Sequence, residues 1–395
     1  MAQTATAPQL KAASAATFVV FGINGLVFAS WAARIPAVTA TLQITSGQMG
    51  TLLLCVAVGS LIALPTAGHV VGRIGTSNTI RAAGLLAAAA GAGIALSLGV
   101  ETVPGTALSL FFFGIGIGLW DVSQNIEGAA VEHKLGRTVM PQFHAAFSGG
   151  AFIGALIGAG LSTVGVGLPV HLLVIVAVVA ATALWVPRYF LPFEPVAARP
   201  AGETGLPRGP RAWRDGRTLL VGVVVLGATL TEGGGNDWIA KAAVDGLRTE
   251  ESTGALLFAV FVLAMTAMRF FGGRAIDAYG RVAVLRASMA AAALGLGLFV
   301  LAGDLWLATA GAALWGIGAA LAFPVGMSAA ADDPQHAAAR VSVVSTLGYI
   351  AFLAGPPLLG YLGDVTGIRM ALLVIVVPIL VALLLAGAAK PLRTR

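Results

Sequence analysis

Charge is scarce in this chain. Of its 395 residues only 10% are Asp, Glu, Lys or Arg, while 58% are hydrophobic; a soluble protein carries about 25% charged residues. So little charge cannot cover a globular surface in water, which excludes a soluble enzyme, a nucleic-acid-binding domain and a disordered chain. Cysteine is nearly absent as well. Cys55 stands alone, so no intrachain disulfide forms, and its apolar surroundings suit a buried, inert thiol. The residues before Ala16 hold only Lys11, with no compact basic region ahead of a cleavage site, and are read as carrying no removable signal peptide. Catalytic motifs are missing too. There is no G-x-x-x-x-G-K-[ST] phosphate loop, no H-E-x-x-H, no paired Cys and no G-x-S-x-G elbow, which argues against an attached ATPase, a metal site, a cofactor or an enzyme. Gly114-Ile-Gly116-Ile-Gly118 sits inside an apolar run, where small residues serve close helix approach better than dinucleotide binding. Gly150-x-x-x-Gly154-x-x-x-Gly158 reads the same way.

What the chain has in abundance is long apolar runs. A helix needs about 20 apolar residues to cross the hydrocarbon core, and the punctuation of charge, Pro and Gly leaves twelve such runs: 15–38, 47–71, 79–100, 105–131, 139–164, 168–190, 217–240, 252–276, 282–302, 304–330, 337–363 and 367–388. With both termini inside, only Arg34, Lys241, Arg248 and Arg369 of the 23 basic residues fall outside. The positive-inside rule then places both termini in the cytoplasm and the protein in the cytoplasmic (inner) membrane. The segment 188–216, with Pro192, Pro195, Pro200, Pro207 and Pro210 among its arginines, reads as a cytoplasmic Pro/Gly/Arg-rich linker. It divides the chain into an N-terminal six-helix bundle, 1–187, and a C-terminal one, 217–395.

The halves repeat each other at a spacing of roughly 200 residues. Trp31-Ala-Ala-Arg34 matches Trp238-Ile-Ala-Lys241, Gly68 to Gly75 matches Gly273 to Gly280, Gly116-Ile-Gly118 matches Gly316-Ile-Gly318, and Ala151-Phe152 with Gly160 matches Ala351-Phe352 with Gly360. Duplicated six-helix halves around a central loop resemble the major facilitator superfamily. The most specific residues are Gly273-Arg-Ala-Ile-Asp277-Ala-Tyr-Gly280-Arg281 with Leu285, similar to the family signature G-x-x-x-D-x-x-G-R-x-x-x-L. That resemblance implies a fold of twelve transmembrane helices in two pseudo-symmetric bundles, all-α. It also implies a loop, carrying Asp277 and Arg281, that steadies one closed state through a carboxylate near helix N-terminal amides. The first-half loop departs from the pattern: Gly72 stands at the aspartate position, and Thr76 and Ser77 replace basic residues. Asn24-Gly-Leu-Val-Phe-Ala-Ser-Trp31-Ala-Ala-Arg34-Ile-Pro36 and Phe143-His144-Ala-Ala-Phe147-Ser148 look like the sugar-permease-like branch with its fucose-type proton symporters. The fifth span lacks the G-P-x-x-G-G element of drug antiporters.

Ionisable groups inside the bilayer cost about 2.5–3.5 kcal/mol on insertion scales and so mark function by default. Asp121 lies mid-span with Asn125 one turn on and Gln124 beside it. A symmetric hairpin puts His144 and Ser148 at matching depths, as a polar site or as a network that only ties two helices together. Glu127, nearer the inner end, is read as reaching solvent. Glu232 is mid-span in the seventh helix, followed by Gly233-Gly234-Gly235, a run expected to loosen or break the helix at a cavity, close packing being the other reading. Arg34 and Asp237 sit near the outer edge, on the first helix of each half. They either pair as a gate, or Arg34 and Lys241 snorkel to the headgroups. Gly355-Pro356-Pro357 is expected to kink the eleventh helix.

These readings converge on a secondary transporter moving a small polar solute by alternating access, coupled to protons. Asn24, Trp31, Asn125, His144, Glu232, Asn236, Trp238, Ser345 and Tyr349 are the solute-binding candidates. Asp121 and Glu232 are the candidates for proton coupling, with Asp121 favoured for its amide neighbours. Arg34, Asp237, Asp277 and Arg281 are the gating candidates. The expected partners are solute, protons and membrane lipid, with no nucleic acid and a monomeric chain. Proton-driven efflux of an amphiphilic compound, or a membrane sensor without transport, are the alternatives.

Overall fold

The computed structural model describes residues 6–137, 139–192, 212–333 and 336–392; most of the linker, 193–211, lies outside them. Eleven helices among the described residues are long and apolar enough to cross a membrane. One of them, α3 (Ser46–Gly99), is 54 residues long and merges two spans across Gly75, whose φ of 79° and ψ of 163° are not helical. Twelve spans result, as the apolar runs predict.

The chain divides into two compact units, Met1–Ile44 with Thr51–Ala198, and Thr45–Gly50 with Arg199–Arg395. The first is built from α1 (Ala7–Ala32), α2 (Ile35–Leu42), most of α3, α4 (Val103–Leu135), α5 (Met140–Thr163) and α6 (Leu168–Trp185). The first apolar run is two helices rather than one. Pro36 has no N–H to offer the carbonyl four residues back, and the helix stops at Ala32 and restarts at Ile35. A capping box between Thr6 and Gln9 starts α1, and α1 packs most closely along α5. Glycine makes that approach possible: a Cβ on Gly25 would strike the carbonyl of Phe147, and one on Gly150 the carbonyl of Gly22.

The second unit holds α7 (Gly216–Leu247), α8 (Glu251–Tyr279), α9 (Arg281–Leu301), α10 (Leu305–Ala319), α11 (Ala322–Ala330), α12 (Ala337–Thr366), and a last span made of α13 (Ile368–Ala371), a 3₁₀ turn and α14 (Val376–Leu385). Here α7 packs along α12, the repeat of the α1–α5 pairing. The turn from α8 to α9 is Gly280, with φ 79° and ψ 157°, nearly the geometry of Gly75. Side chains with a Cβ rarely adopt that backbone, so both halves of the repeat keep glycine there. The segment Thr45–Gly50 joins this unit because Asp364, near the end of α12, accepts from Thr45 Oγ1 at 2.8 Å and from the Gly47 N–H at 3.1 Å.

Helix α12 runs unbroken through Pro356 and Pro357, although each proline removes one backbone hydrogen bond. A Gly25→Ala or Gly150→Ala change is expected to lower the thermal midpoint and the folded yield sharply, by overpacking at backbone. Gly160→Ala, where a Cβ meets nothing within 4 Å, is expected to leave both unchanged; melting curves in detergent compare the three.

Candidate functional site

In the first unit the polar residues of α4 form a local cluster. Gln124 Nε2 donates to Asp121 Oδ1 at 3.0 Å, and Asn125 Nδ2 donates to the Asp121 carbonyl at 2.8 Å. Asp121 itself is exposed on the helix surface, while Gln124 is buried. His144 of α5 lies near enough for a Coulombic interaction with Asp121 and meets Phe21 edge-on at 5.3 Å between ring centres. Ser148 is buried and shares no hydrogen bond with this cluster.

Other candidates of this unit are turned inward. Asn24 is buried. Trp31 is buried with its indole N–H unbonded among the described residues, and it lines a small apolar cavity with Val27, Phe113, Leu172 and Val176. Arg34, only 2% exposed, donates Nη2 to the Val166 carbonyl at 3.1 Å. His171 of α6, which no sequence pattern singles out, is buried with neither ring nitrogen hydrogen-bonded among the described residues.

Glu127 corrects the expectation of a solvent-reaching side chain. It is buried, accepting from Thr76 Oγ1 at 2.5 Å and from the Leu191 N–H at 2.8 Å. It thus holds the Gly75 turn and the end of the sixth span to α4. The second unit repeats the device with charges: Arg281, just after Gly280, donates to Asp332 at 2.6 Å, and Arg217 reaches the same carboxylate at 2.8 Å. Arg281 is therefore anchored within its own unit, while Asp277 is exposed, with no hydrogen bond or ion pair among the described residues. Thr76 departs from the family signature in sequence and still supplies the matching bond.

The second unit also contains the ion pair that sequence patterns do not reveal. Glu232 of α7 pairs with Arg269 of α8 at 2.7 Å, their side chains 17% and 34% exposed. Arg269 falls within the apolar run 252–276 and counts there only as one of the inner-side basic residues; α8, running to Tyr279, holds it inside the helix. Its Nε donates to the Ala320 carbonyl at 3.2 Å. The reason that carbonyl is available lies in the sequence: Pro324 is four residues on, has no N–H to give it, and the tenth span breaks between Ala319 and Ala322.

The predicted break at Gly233-Gly234-Gly235 does not occur. Helix α7 is continuous through all three, and they are buried. A Cβ on Gly234 would strike Ile375 and one on Gly235 the ring of Phe261, so close packing accounts for the run. Asp237, on the next turn, lines a small cavity with Thr229, Gly233, Phe352 and Pro356. Asn236 has a buried Oδ1 without a partner among the described residues, and Trp238 is fully buried. Ser345 faces Met327 at 3.7 Å, and Tyr349 is exposed. Lys241 pairs with Asp245 at 2.8 Å.

The geometry has relatives. A model of the Major Facilitator Superfamily matches residues 237–395. An uncharacterized transporter of Sinorhizobium fredii, y4wD, is 33% identical over 359 residues, covering 90% of this chain and 92% of its own. MosC, a membrane protein of Rhizobium meliloti, is 30% identical over 94% of this chain and 88% of its own. Among solved structures, a mutant of the nucleoside transporter NupG matches with a TM-score of 0.80 at 14% identity, over 95% of this chain and 99% of its own. FucP in the outward conformation matches with a TM-score of 0.66 at 14% identity, over 99% of this chain and 100% of its own. Identities this low carry the fold alone. Since a nucleoside transporter and FucP share it, the fold does not single out the sugar-permease-like branch.

Removing the Glu127 carboxylate orphans a buried N–H, which costs about 1–3 kcal/mol. Glu127→Ala is therefore expected to destabilise the purified protein, and so is Thr76→Val, which leaves a buried Glu127 carboxylate oxygen without its donor at a cost of about 1–3 kcal/mol. Thermal melts of both variants measure this, and a midpoint equal to wild type in either would refute that bond's contribution.

Proposed function

The chain belongs to the major facilitator superfamily and is a multi-pass membrane transporter of the alternating-access type, not an enzyme; on that premise we propose that it moves a small polar, sugar-like solute together with protons. The observation that carries the proposal is the Glu232–Arg269 ion pair inside the spans α7 and α8. A charge pair among apolar helices is expensive to keep unless it does something. A proton added to Glu232 cancels its charge and releases Arg269 on another helix. A proton added to Asp121 weakens the bond from Gln124 and the longer 3.4 Å contact from Asn125, both neutral amides on its own helix, together with the attraction to His144 of α5. Coupling is therefore assigned to Glu232 ahead of Asp121.

Amide and hydroxyl groups at Asn125, Asn236, Ser345 and Tyr349, with His144, suit the hydrogen bonds of a polar solute better than those of an amphiphile. Arg34, Asp237, Asp277 and Arg281 are the proposed gating residues. The basic residues favour both termini in the cytoplasm, in the inner membrane, for a monomeric chain.

The test is a pair of assays in the same proteoliposomes, pH-gradient-driven uptake and solute counterflow, run on radiolabelled candidate solutes. Glu232→Gln is expected to abolish gradient-driven accumulation while keeping counterflow, since exchange moves no net proton. Asp121→Asn is expected to keep accumulation. The reverse pattern would return the coupling role to Asp121, and unchanged accumulation in both variants would remove proton coupling by either residue.

A further inference from the structure

The two members of the Glu232–Arg269 pair are held unequally. Arg269 is anchored twice, by Glu232 through Nη2 and by the Ala320 carbonyl through Nε. Glu232 has Arg269 as its one hydrogen-bond or ion-pair partner among the described residues. Pulling Arg269 away would orphan a carbonyl that Pro324 leaves without a backbone donor, whereas moving Glu232 away leaves Arg269 in position. Arg269 is the fixed member and Glu232 the replaceable one.

The donors that remain have a definite shape. With Nε turned to Ala320, the end of the guanidinium presents Nη2 and Nη1, and Nη1 has no hydrogen-bond partner among the described residues. Two parallel N–H groups on a planar, permanently charged fork match a carboxylate better than a hydroxyl or an amine. Side-chain exposures of 34% for Arg269 and 17% for Glu232 leave both within reach of a small molecule.

We propose that Arg269 is a solute-binding residue and that the solute carries a carboxylate, which takes the place of Glu232 on the guanidinium. This rests on the transport reading above and adds the chemical class of its solute. Charge balance fixes the rest of the step. The pair is neutral as it stands, and an added anion alone would leave one uncompensated negative charge in a low-dielectric site. A proton from the aqueous phase, bonding to a Glu232 carboxylate oxygen, restores neutrality. The solute anion and one proton therefore enter together, and no other bond forms or breaks. A cationic solute would need the opposite exchange, at the member that is anchored twice.

The experiment uses the full chain in detergent, with gluconate and glucuronate as anionic probes, glucose as the uncharged probe and glucosamine as the cationic one. Thermal-shift titrations in acidic and alkaline buffer read affinity. At least one of the two anions is expected to stabilise the wild type, more tightly in acid. Arg269→Gln is expected to weaken that binding about ten-fold or more, the loss of a charge-assisted hydrogen bond. Glu232→Gln, which mimics the protonated acid, is expected to bind at least as tightly with the pH dependence gone. Should Arg269→Gln fail to fold, Arg269→Lys keeps the charge without the fork and is expected to bind more weakly than wild type. Stabilisation by glucose or glucosamine alone, anion binding unchanged in the folded Arg269 variant, or no stabilisation by either anion would overturn the proposal. Counterflow of labelled glucose without counterflow of either anion removes the carboxylate but leaves transport standing. Arg269-dependent anion binding without any counterflow does the opposite.

Discussion

Keeping Arg269 inside an apolar bundle costs about 2.5–3.5 kcal/mol on insertion scales, and the surrounding second unit is arranged to offset that cost. Glu232 supplies the opposite charge from α7. Pro324 supplies the rest indirectly, by leaving the Ala320 carbonyl without its helical donor so that the Arg269 Nε–H can take its place. One arginine thus ties together a carboxylate, a helix break and the helix it stands on. The helix break fixes the arginine in place, and the carboxylate is the member that can change its charge or its partner.

The repeat shows a similar economy of means with different residues. Both units pair their first span with their fifth, α1 with α5 and α7 with α12. Both turn the chain between their second and third spans on a glycine at φ 79°. The residue after that glycine bonds a carboxylate in each case, Thr76 to Glu127 in the fourth span and Arg281 to Asp332 just past the tenth. A hydroxyl serves where the partner is buried beside a backbone N–H, and a guanidinium serves where the carboxylate has a second arginine, Arg217, at the other oxygen. The position and its partner persist while the charge does not, so a degraded signature is compatible with an intact turn.

Much of the fold was legible in the sequence because length and apolarity alone decide what crosses a bilayer. Twelve runs, the duplication and the glycine contacts along α4 and α5 follow from patterns that need no three-dimensional information. The site was less legible, for physical reasons that differ from residue to residue. The glycine run after Glu232 signals either a break or close packing, and only the neighbours Ile375 and Phe261, far away in sequence, decide for packing. Arg269 counts in the sequence only as one more inner-side basic residue of the run 252–276, because nothing local in it marks Glu232, on another helix, as its partner. Pro324 carried a usable signal, since a proline inside a span frees the carbonyl four residues earlier, and an unpaired basic residue in a neighbouring span is the natural donor for it. Trp31 and Trp238 matched across the repeat and both proved buried, a shared packing position as much as a shared site.

The central claim is that a proton on Glu232 breaks its ion pair with Arg269 and frees the end of the guanidinium. Infrared difference spectroscopy of the full chain in lipid, across a step from neutral to acidic buffer, observes both groups at once. The expected result is a protonated-carboxyl C=O stretch that rises as the guanidinium bands of an ion-paired arginine change, with both signals lost in Glu232→Gln. A carboxyl band that survives in Glu232→Gln and disappears in Asp121→Asn, with the arginine bands unmoved, would contradict it.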